Sequence, residues 1–176
     1  MLFRSSVAVQ CYNMIKKVYS KEYSEVFDLF YGISVSEIKH SAGVSLTPEQ
    51  YVILDLPITR DKLEDCIADY IRPEHLHGDN AWHNDATGNK EDATKRIYFW
   101  NFPKILIIAL KRFTVTGRGI LRNNALVQCP LTNLNLSKYV EGYDANKHMY
   151  ELYGVSNHMG TPDGGHYTSY VKTSKG

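Results

Sequence analysis

Between Pro103 and the pair Lys111-Arg112 runs Ile105 to Leu110, six residues with no polar side chain. A membrane helix needs about 20 such residues, so this run does not span a bilayer. A short apolar run bounded by a breaker and by charges predicts a strand buried on both faces. Such a strand needs partners and a large core around it. A chain of 176 residues, 43% hydrophobic and 22% charged, can supply both within one domain and is not composed like a disordered one.

Around that strand the pattern mixes helices and strands. Val7, Cys11, Met14, Ile15 and Val18 fall on one face of a helix, and Glu25 to Tyr31 is a second amphipathic stretch stopped by Gly32. Val52, Leu54 and Leu56 alternate with Ile53 and Asp55 up to Pro57, which predicts a strand ending at a turn. Leu63, Cys66, Ile67, Tyr70 and Ile71 predict a helix, with Asp61 and Glu64 as a capping pair and Pro73 forbidding continuation. His77 to Arg96 is polar and predicts a long connection or a pair of short exposed strands. Ile97 to Trp100 reads as β, Gly117-Arg118-Gly119 as a hairpin turn, and the apolar cluster near Ser137 as a short helix. Tyr150 to Asn157 and His166 to Lys172 are strands, separated by a turn-rich loop from His158 to Gly165. Helices come first and strands follow, so the predicted class is α+β.

Charge and cysteine content narrow the partners. Twenty Lys and Arg against 19 Asp and Glu leave a formal charge of +1, which gives no electrostatic footprint for nucleic acid or an anionic membrane. Val7-Ala8-Val9 stops at Gln10, too short for a signal-peptide core. Cys11, Cys66 and Cys129 form neither a disulfide framework nor a metal signature, so an intracellular setting, cytoplasmic or nuclear, is expected. Asn135-Leu136-Ser137 matches a glycosylation acceptor that means little without a secretion signal. His40, His75, His77, His83 and Asp85 lack a tight ligand spacing with a matching second pair, so solvated histidines are the expectation. No cofactor is expected.

The stretch that points to chemistry is His158-Met-Gly-Thr-Pro-Asp-Gly164-Gly165-His166-Tyr167. A histidine at the first residue of a strand is held in place, and two preceding glycines let another backbone pass beside it. Imidazole is the side chain suited to moving a proton near neutral pH. A turn carrying a solvated histidine is the plainer alternative.

That stretch, with the strand Tyr150 to Asn157 before it, resembles the histidine box of the ubiquitin-specific protease family. Other segments resemble the family's motifs in the family's order. They are Phe27-Asp-Leu-Phe-Tyr-Gly32, Leu54-Asp-Leu-Pro-Ile58, the helix ending in Pro73-Glu-His-Leu-His-Gly-Asp-Asn80, Pro103 to Phe113, and Cys129 to Tyr139. The resemblance implies a papain-like cysteine protease palm with a fingers β-sheet and a thumb largely missing. It divides the chain into 1–31 as end-of-thumb helices, 32–100 as fingers and connecting helix, and 101–176 as palm with the histidine box. It implies a deubiquitinase that cleaves the isopeptide bond after the Gly-Gly of ubiquitin, with ubiquitin or a ubiquitinated protein as partner. His166 takes the position of the catalytic histidine. Gly164 and Gly165 would flank the channel for the glycine tail, with Tyr167 beside them, and His158 shapes the loop.

The family's cysteine box has no match here, and neither has its third, orienting residue. Cys11 lies mid-helix on an apolar face rather than at a helix N-terminus, and Cys66 and Cys129 also read as structural. No cysteine pairs mark the finger tips, which implies fingers held by strand pairing and packing rather than by zinc. The alternatives are a ubiquitin-binding module or pseudoenzyme that does not cut, and a remnant without a stable fold.

Overall fold

The computed structural model describes residues 24–143 and 145–173. The predicted helix from Val7 to Val18, and Cys11 with it, lies outside the described residues. A short helix α1 (Glu25–Phe30) leads into the strand β1 (Gly32–His40), and the residues Ser41-Ala42 turn the chain into β2 (Gly43–Tyr51). Neither strand is anticipated from the pattern, because Ser34, Ser36, Lys39 and Pro48 dilute it. The alternation is real all the same: Ile33, Val35 and Glu37 are buried, and the residues between them are half-buried. Pro48 sits on β2 at the edge of the sheet, where a missing N–H costs least.

Next along the chain come β3 (Ile53–Pro57), the helix α2 (Leu63–Tyr70) and β4 (Glu74–Leu76). The polar stretch folds as a small hairpin of β5 (Trp82–Asn84) and β6 (Asn89–Glu91), the second of the two expected arrangements. The long strand β7 (Ala93–Asn101) follows, and β2–β1–β7–β4 make one antiparallel sheet. The residues Tyr98, Phe99 and Trp100 are all buried although a strand points them to alternate faces. Phe99 enters the main core with Leu54, Leu56, Leu63, Ile67 and Leu136, while Tyr98 and Trp100 pack on Ile33 and Val35.

The aliphatic run does not form the strand buried on both faces. It gives β8 (Ile107–Lys111), whose partner is β3, in parallel register from Ile53↔Ile107 to Pro57↔Lys111. Ile108 and Leu110 face the core, and Ile107 is 38% exposed on the other side. With one neighbour among the described strands and one covered face, β8 is half-buried. β7 is the strand with two covered faces.

Helix α2 starts differently from expectation as well. Lys62 is its N-cap, and neither Asp61 nor Glu64 makes a side-chain cap. The first amide of the helix, on Leu63, donates to the Gln128 carbonyl at 3.0 Å, and the Gln128 amide donates to Asp61 O at 2.7 Å. A neighbouring stretch of backbone thus does the work of the cap. Leu63, Cys66 and Ile67 are its buried face, as expected, and the helix ends before Pro73. The predicted turn at Gly117-Arg118 joins β9 (Phe113–Thr116) to β10 (Gly119–Arg122). The cluster near Ser137 is a single 3-10 turn, flanked by β11 (Leu134–Asn135), which pairs with β12 (Met149–Tyr150). Helices and strands interleave rather than segregate along the chain, and the class remains mixed α and β. No described helix is long and apolar enough to cross a membrane.

Two polar groups join the layers. Glu37 is buried opposite Arg96 in the β1–β7 register, and Arg96 donates to Glu37 at 2.6 Å and to Glu141 at 2.8 Å. At the far end of the sheet, Glu91 accepts from Ser41 Oγ at 2.6 Å and from Asn84 Nδ2, and the His40 and Trp82 rings lie 4.8 Å apart. This clasp ties the β1–β2 turn to the β5–β6 hairpin. Among the described residues no three His, Cys, Asp or Glu side chains converge as metal ligands would.

Burial alone would raise the Glu37 carboxyl, but the bonds and charge of Arg96 more than offset it and hold the group below its ordinary 4.5. A depressed folded value means that stability from the pair is full above the unfolded value and is lost as pH falls through the folded one. Arg96→Ala leaves the buried Glu37 carboxylate with only the solvent-exposed Lys39, 3.3 Å away, as a partner, and should cost about 2–3 kcal/mol in urea unfolding at pH 7. Between pH 7 and pH 3 the variant should also lose less stability than the parent. Equal acid sensitivity in the two proteins would refute this account of the pair.

Candidate active-site hairpin

The chain leaves β12 at Tyr150, and Leu152 N donates to Leu131 O at 3.0 Å. It then makes β13 (Gly154–Thr161) and β14 (Gly164–Val171), which pair only with each other among the described strands. The register sets His158 opposite Tyr167, Met159 opposite His166, Gly160 opposite Gly165, and Thr161 opposite Gly164. Two expectations change here. The stretch from His158 to Gly165 is not a loop, because the strands continue through it and only Pro162-Asp163 turns. His166 is accordingly the third residue of its strand, not the first. The reason is that Gly160 and Gly165 face each other, which lets the two backbones close into a ribbon up to a two-residue turn.

These two glycines are set by packing. Gly160 has φ +136°, and a Cβ there would sit 2.6 Å from Gly164 O and from Gly165 Cα. A Cβ on Gly165 would lie 2.3 Å from Met159 O and 2.4 Å from His158 Nε2, so the His158 imidazole occupies the space over Gly165. That ring lies 4.6 Å from Tyr167 and 5.9 Å from Phe113 on β9. A Cβ on Gly164 would meet nothing within 4 Å. Of the predicted site residues, Gly164, Gly165, His166 and Tyr167 are thus neighbours on one strand, and all four are exposed.

Alternation along the strand puts His166 on the face opposite His158 and Tyr167. That face also carries Thr168 and Tyr170, with Met159, Asn157 and Val155 across from them, and Met159 is 59% exposed. No described side chain hydrogen-bonds the His166 ring. An exposed imidazole fixed on a strand can accept a proton from a group brought against this face and return it.

The thiols lie elsewhere. Cys66 is 1% exposed, with Sγ directed at the Arg60 carbonyl at 3.4 Å, as a core residue should be. Cys129, read as structural from the sequence, is exposed. It follows the Gln128 backbone that caps α2, and this surface position leaves its side chain outside the core. Partial burial of the sulfur, with the charge of Glu64 nearby, pushes that thiol up, away from a thiolate. A cleft of about 390 Å³ lies beside α2 near Asp69 and Cys66, and no residue of the ribbon lines it.

Two residues that support the ribbon escaped sequence reasoning. Arg122, at the end of β10, donates to Gly160 O at 2.8 Å and to His158 O. Phe113, its register partner on β9, faces the guanidinium at 5.5 Å. Phe113 closes a motif visible in the sequence, whereas no local pattern marks Arg122.

Because His158 fills the gap over Gly165, Gly165→Ala should displace that ring and remove the upfield ring-current shifts shared by His158 and Tyr167 in NMR spectra. The global unfolding midpoint should hardly move, since the ribbon is outside the main core. Gly164→Ala should leave the spectra of both rings unchanged. Similar spectra for the two variants would contradict the packing described.

Comparison with known proteins bears on the whole chain. The family model described as ubiquitin carboxyl-terminal hydrolase matches residues 5–176. The chain is 41% identical over 111 residues to ubiquitin carboxyl-terminal hydrolase 12 of Saccharomyces cerevisiae, covering 62% of this chain and 9% of that protein. It is 32% identical over 163 residues to ubiquitin carboxyl-terminal hydrolase 17-like protein 10 of Homo sapiens, covering 90% of this chain and 30% of the relative. With ubiquitin carboxyl-terminal hydrolase 4 of Pongo abelii the identity is 32% over 149 residues, covering 85% of this chain and 15% of the relative. The chain spans less than a third of the length of each of these proteins. A family model that covers all but the first four residues, together with these relatives, shows that the chain belongs to the ubiquitin carboxyl-terminal hydrolase family.

Proposed function

We propose that the chain is the fingers-and-palm part of a thiol-dependent deubiquitinase, with His166 as the catalytic histidine. In this reading residues 32–100 are the fingers and connecting helix, 101–176 the palm, and 1–31 the end of the thumb. The fold is then of the papain-like kind. Gly164, Gly165 and Tyr167 border the path of an extended diglycine tail. The observation that carries the reading is the display of His166 on the open face of a ribbon whose glycines are pinned in register.

The chemistry follows from what an imidazole can do. His166 takes the thiol proton, and the resulting thiolate adds to the carbonyl carbon of the last tail glycine. The imidazolium then gives its proton to the departing lysine amine as the C–N bond breaks. Water, deprotonated by the same ring, splits the thioester and restores the thiol. Neither described thiol, Cys66 in the core nor Cys129 beside Pro130, contacts His166, so in this reading the nucleophile comes from outside the described residues. That same observation favours a second reading, in which the chain binds ubiquitin and does not cut.

The test titrates the isotopically labelled chain with ubiquitin and with ubiquitin lacking its last two glycines. Intact ubiquitin should shift the amides of residues 158–167, and the shortened form should not. Identical responses to both, or none, would remove the ribbon from substrate binding. In any form of the protein that hydrolyses a ubiquitin–fluorophore conjugate, His166→Ala should lower turnover by about 10³-fold or more while ubiquitin still binds. Turnover that survives the substitution would exclude His166 as the base. Tail-dependent binding with no hydrolysis by any form would select the second reading.

A further inference from the structure

We propose that Arg122 is the positioning residue of the His166 ribbon, acting as a clamp on the strand opposite the imidazole. The inference rests on the reading of His166 given above, and it adds the residue that sets where that ring stands. The ribbon needs such a device. A lone two-stranded sheet is marginal in water. β13 and β14 pair with no other described strand, every residue of β14 is exposed, and neither strand contributes to the core clusters.

Arg122 reaches across from the last position of β10. One Nη donates to the Gly160 carbonyl at 2.8 Å and the other to the His158 carbonyl. Carbonyls two residues apart on a strand point to the same side, so one planar guanidinium takes both. The residue between them is Met159, the cross-strand partner of His166. Fixing 158 and 160 therefore fixes the segment that His166 pairs with. The guanidinium lies over the Phe113 ring at 5.5 Å, and Phe113 contacts the His158 imidazole at 5.9 Å. Guanidinium, aromatic ring and the tilted imidazole form one contiguous cluster that anchors the ribbon to the β9–β10 hairpin. Bonds from a charged donor are roughly twice as strong as neutral ones, so a single side chain suffices. Both hydrogen bonds of Arg122 go to backbone carbonyls of β13, and neither reaches the His166 side chain.

The experiment compares the full chain with its Arg122→Ala, Arg122→Met and Arg122→Lys variants. Amide hydrogen exchange is read separately for β13–β14 and for β1–β7, together with the His166 imidazole resonances and tail-dependent ubiquitin binding. In the Ala and Met variants, ribbon amides should exchange about tenfold faster or more. The β1–β7 amides should stay at parental rates, and the His166 signals should move and broaden. Arg122→Lys keeps the charge without the fork and should restore part of the protection. Unchanged ribbon exchange in Arg122→Ala would overturn the clamp. Equal loss of protection in β1–β7 would overturn it too, since Arg122 would then be a general stability residue. Exchange reports on the clamp, and the response to ubiquitin without its diglycine reports on the functional reading. Each therefore fails by its own measurement.

Discussion

The structure depends on one strand that is covered twice. β7 presents Phe99 to one apolar cluster and Tyr98 with Trp100 to another, and all three side chains are buried. Aromatic residues carry large buried areas, so three in succession tie both faces of the sheet to their neighbours. The Phe99 ring meets Phe102 at 4.3 Å and Tyr51 at 5.9 Å. Its carbonyl accepts from Glu141 N at 2.9 Å, which draws the later part of the chain onto the sheet. A slip of one residue in β7 would exchange the two faces. The register is therefore strongly specified, and the strands on either side inherit it.

Polar contacts then set details that apolar burial leaves open. Arg96 answers a buried carboxylate on β1 and a half-buried one after the 3-10 turn, bridging two regions far apart in sequence. At the outer end of the sheet, Glu91, Ser41 and Asn84 close the gap between two hairpins. Neither group drives folding, since the desolvation of charged partners cancels much of their attraction. What they supply is discrimination. A mispaired sheet would leave Glu37 or Asn84 buried without its partner, and such groups are costly when unsatisfied.

Much of this was legible in the residues, and the exceptions share a cause. The helix Leu63–Tyr70, the strand Ile53–Pro57 and the turn at Gly117-Arg118 carry local signals strong enough to stand alone. The strands from Gly32 to Tyr51 do not, because Ser34, Ser36 and Ser45 occupy half-covered positions that only a neighbouring strand makes tolerable. Ile105 to Leu110 misleads for the opposite reason. Apolarity shows that a segment prefers burial, not how many neighbours the topology gives it. The capping of α2 by Gln128 depends on a contact 65 residues away, beyond the reach of any local rule. At the site, the glycines and His166 are plain in the sequence. Their pairing is not, since a loop and a closed ribbon place the same residues in the same order.

That difference between loop and ribbon matters for the chemistry. A histidine on a flexible loop would sample many directions, and a proton transfer needs the ring within hydrogen-bond reach of its partner. Here the backbone that carries the ring is held while the side chain stays exposed. The glycine pair brings the two backbones close, His158 fills the space over Gly165, and Arg122 holds the carbonyls opposite. All of these constraints act through the backbone of the ribbon or through the face turned away from His166. The open face is left clear, and the backbone position from which its imidazole projects is fixed by the register. A core-packed strand could give the same rigidity only by covering the side chain it positions. An exposed ribbon clamped through its backbone avoids that conflict, which explains why so exposed a segment carries so many close contacts.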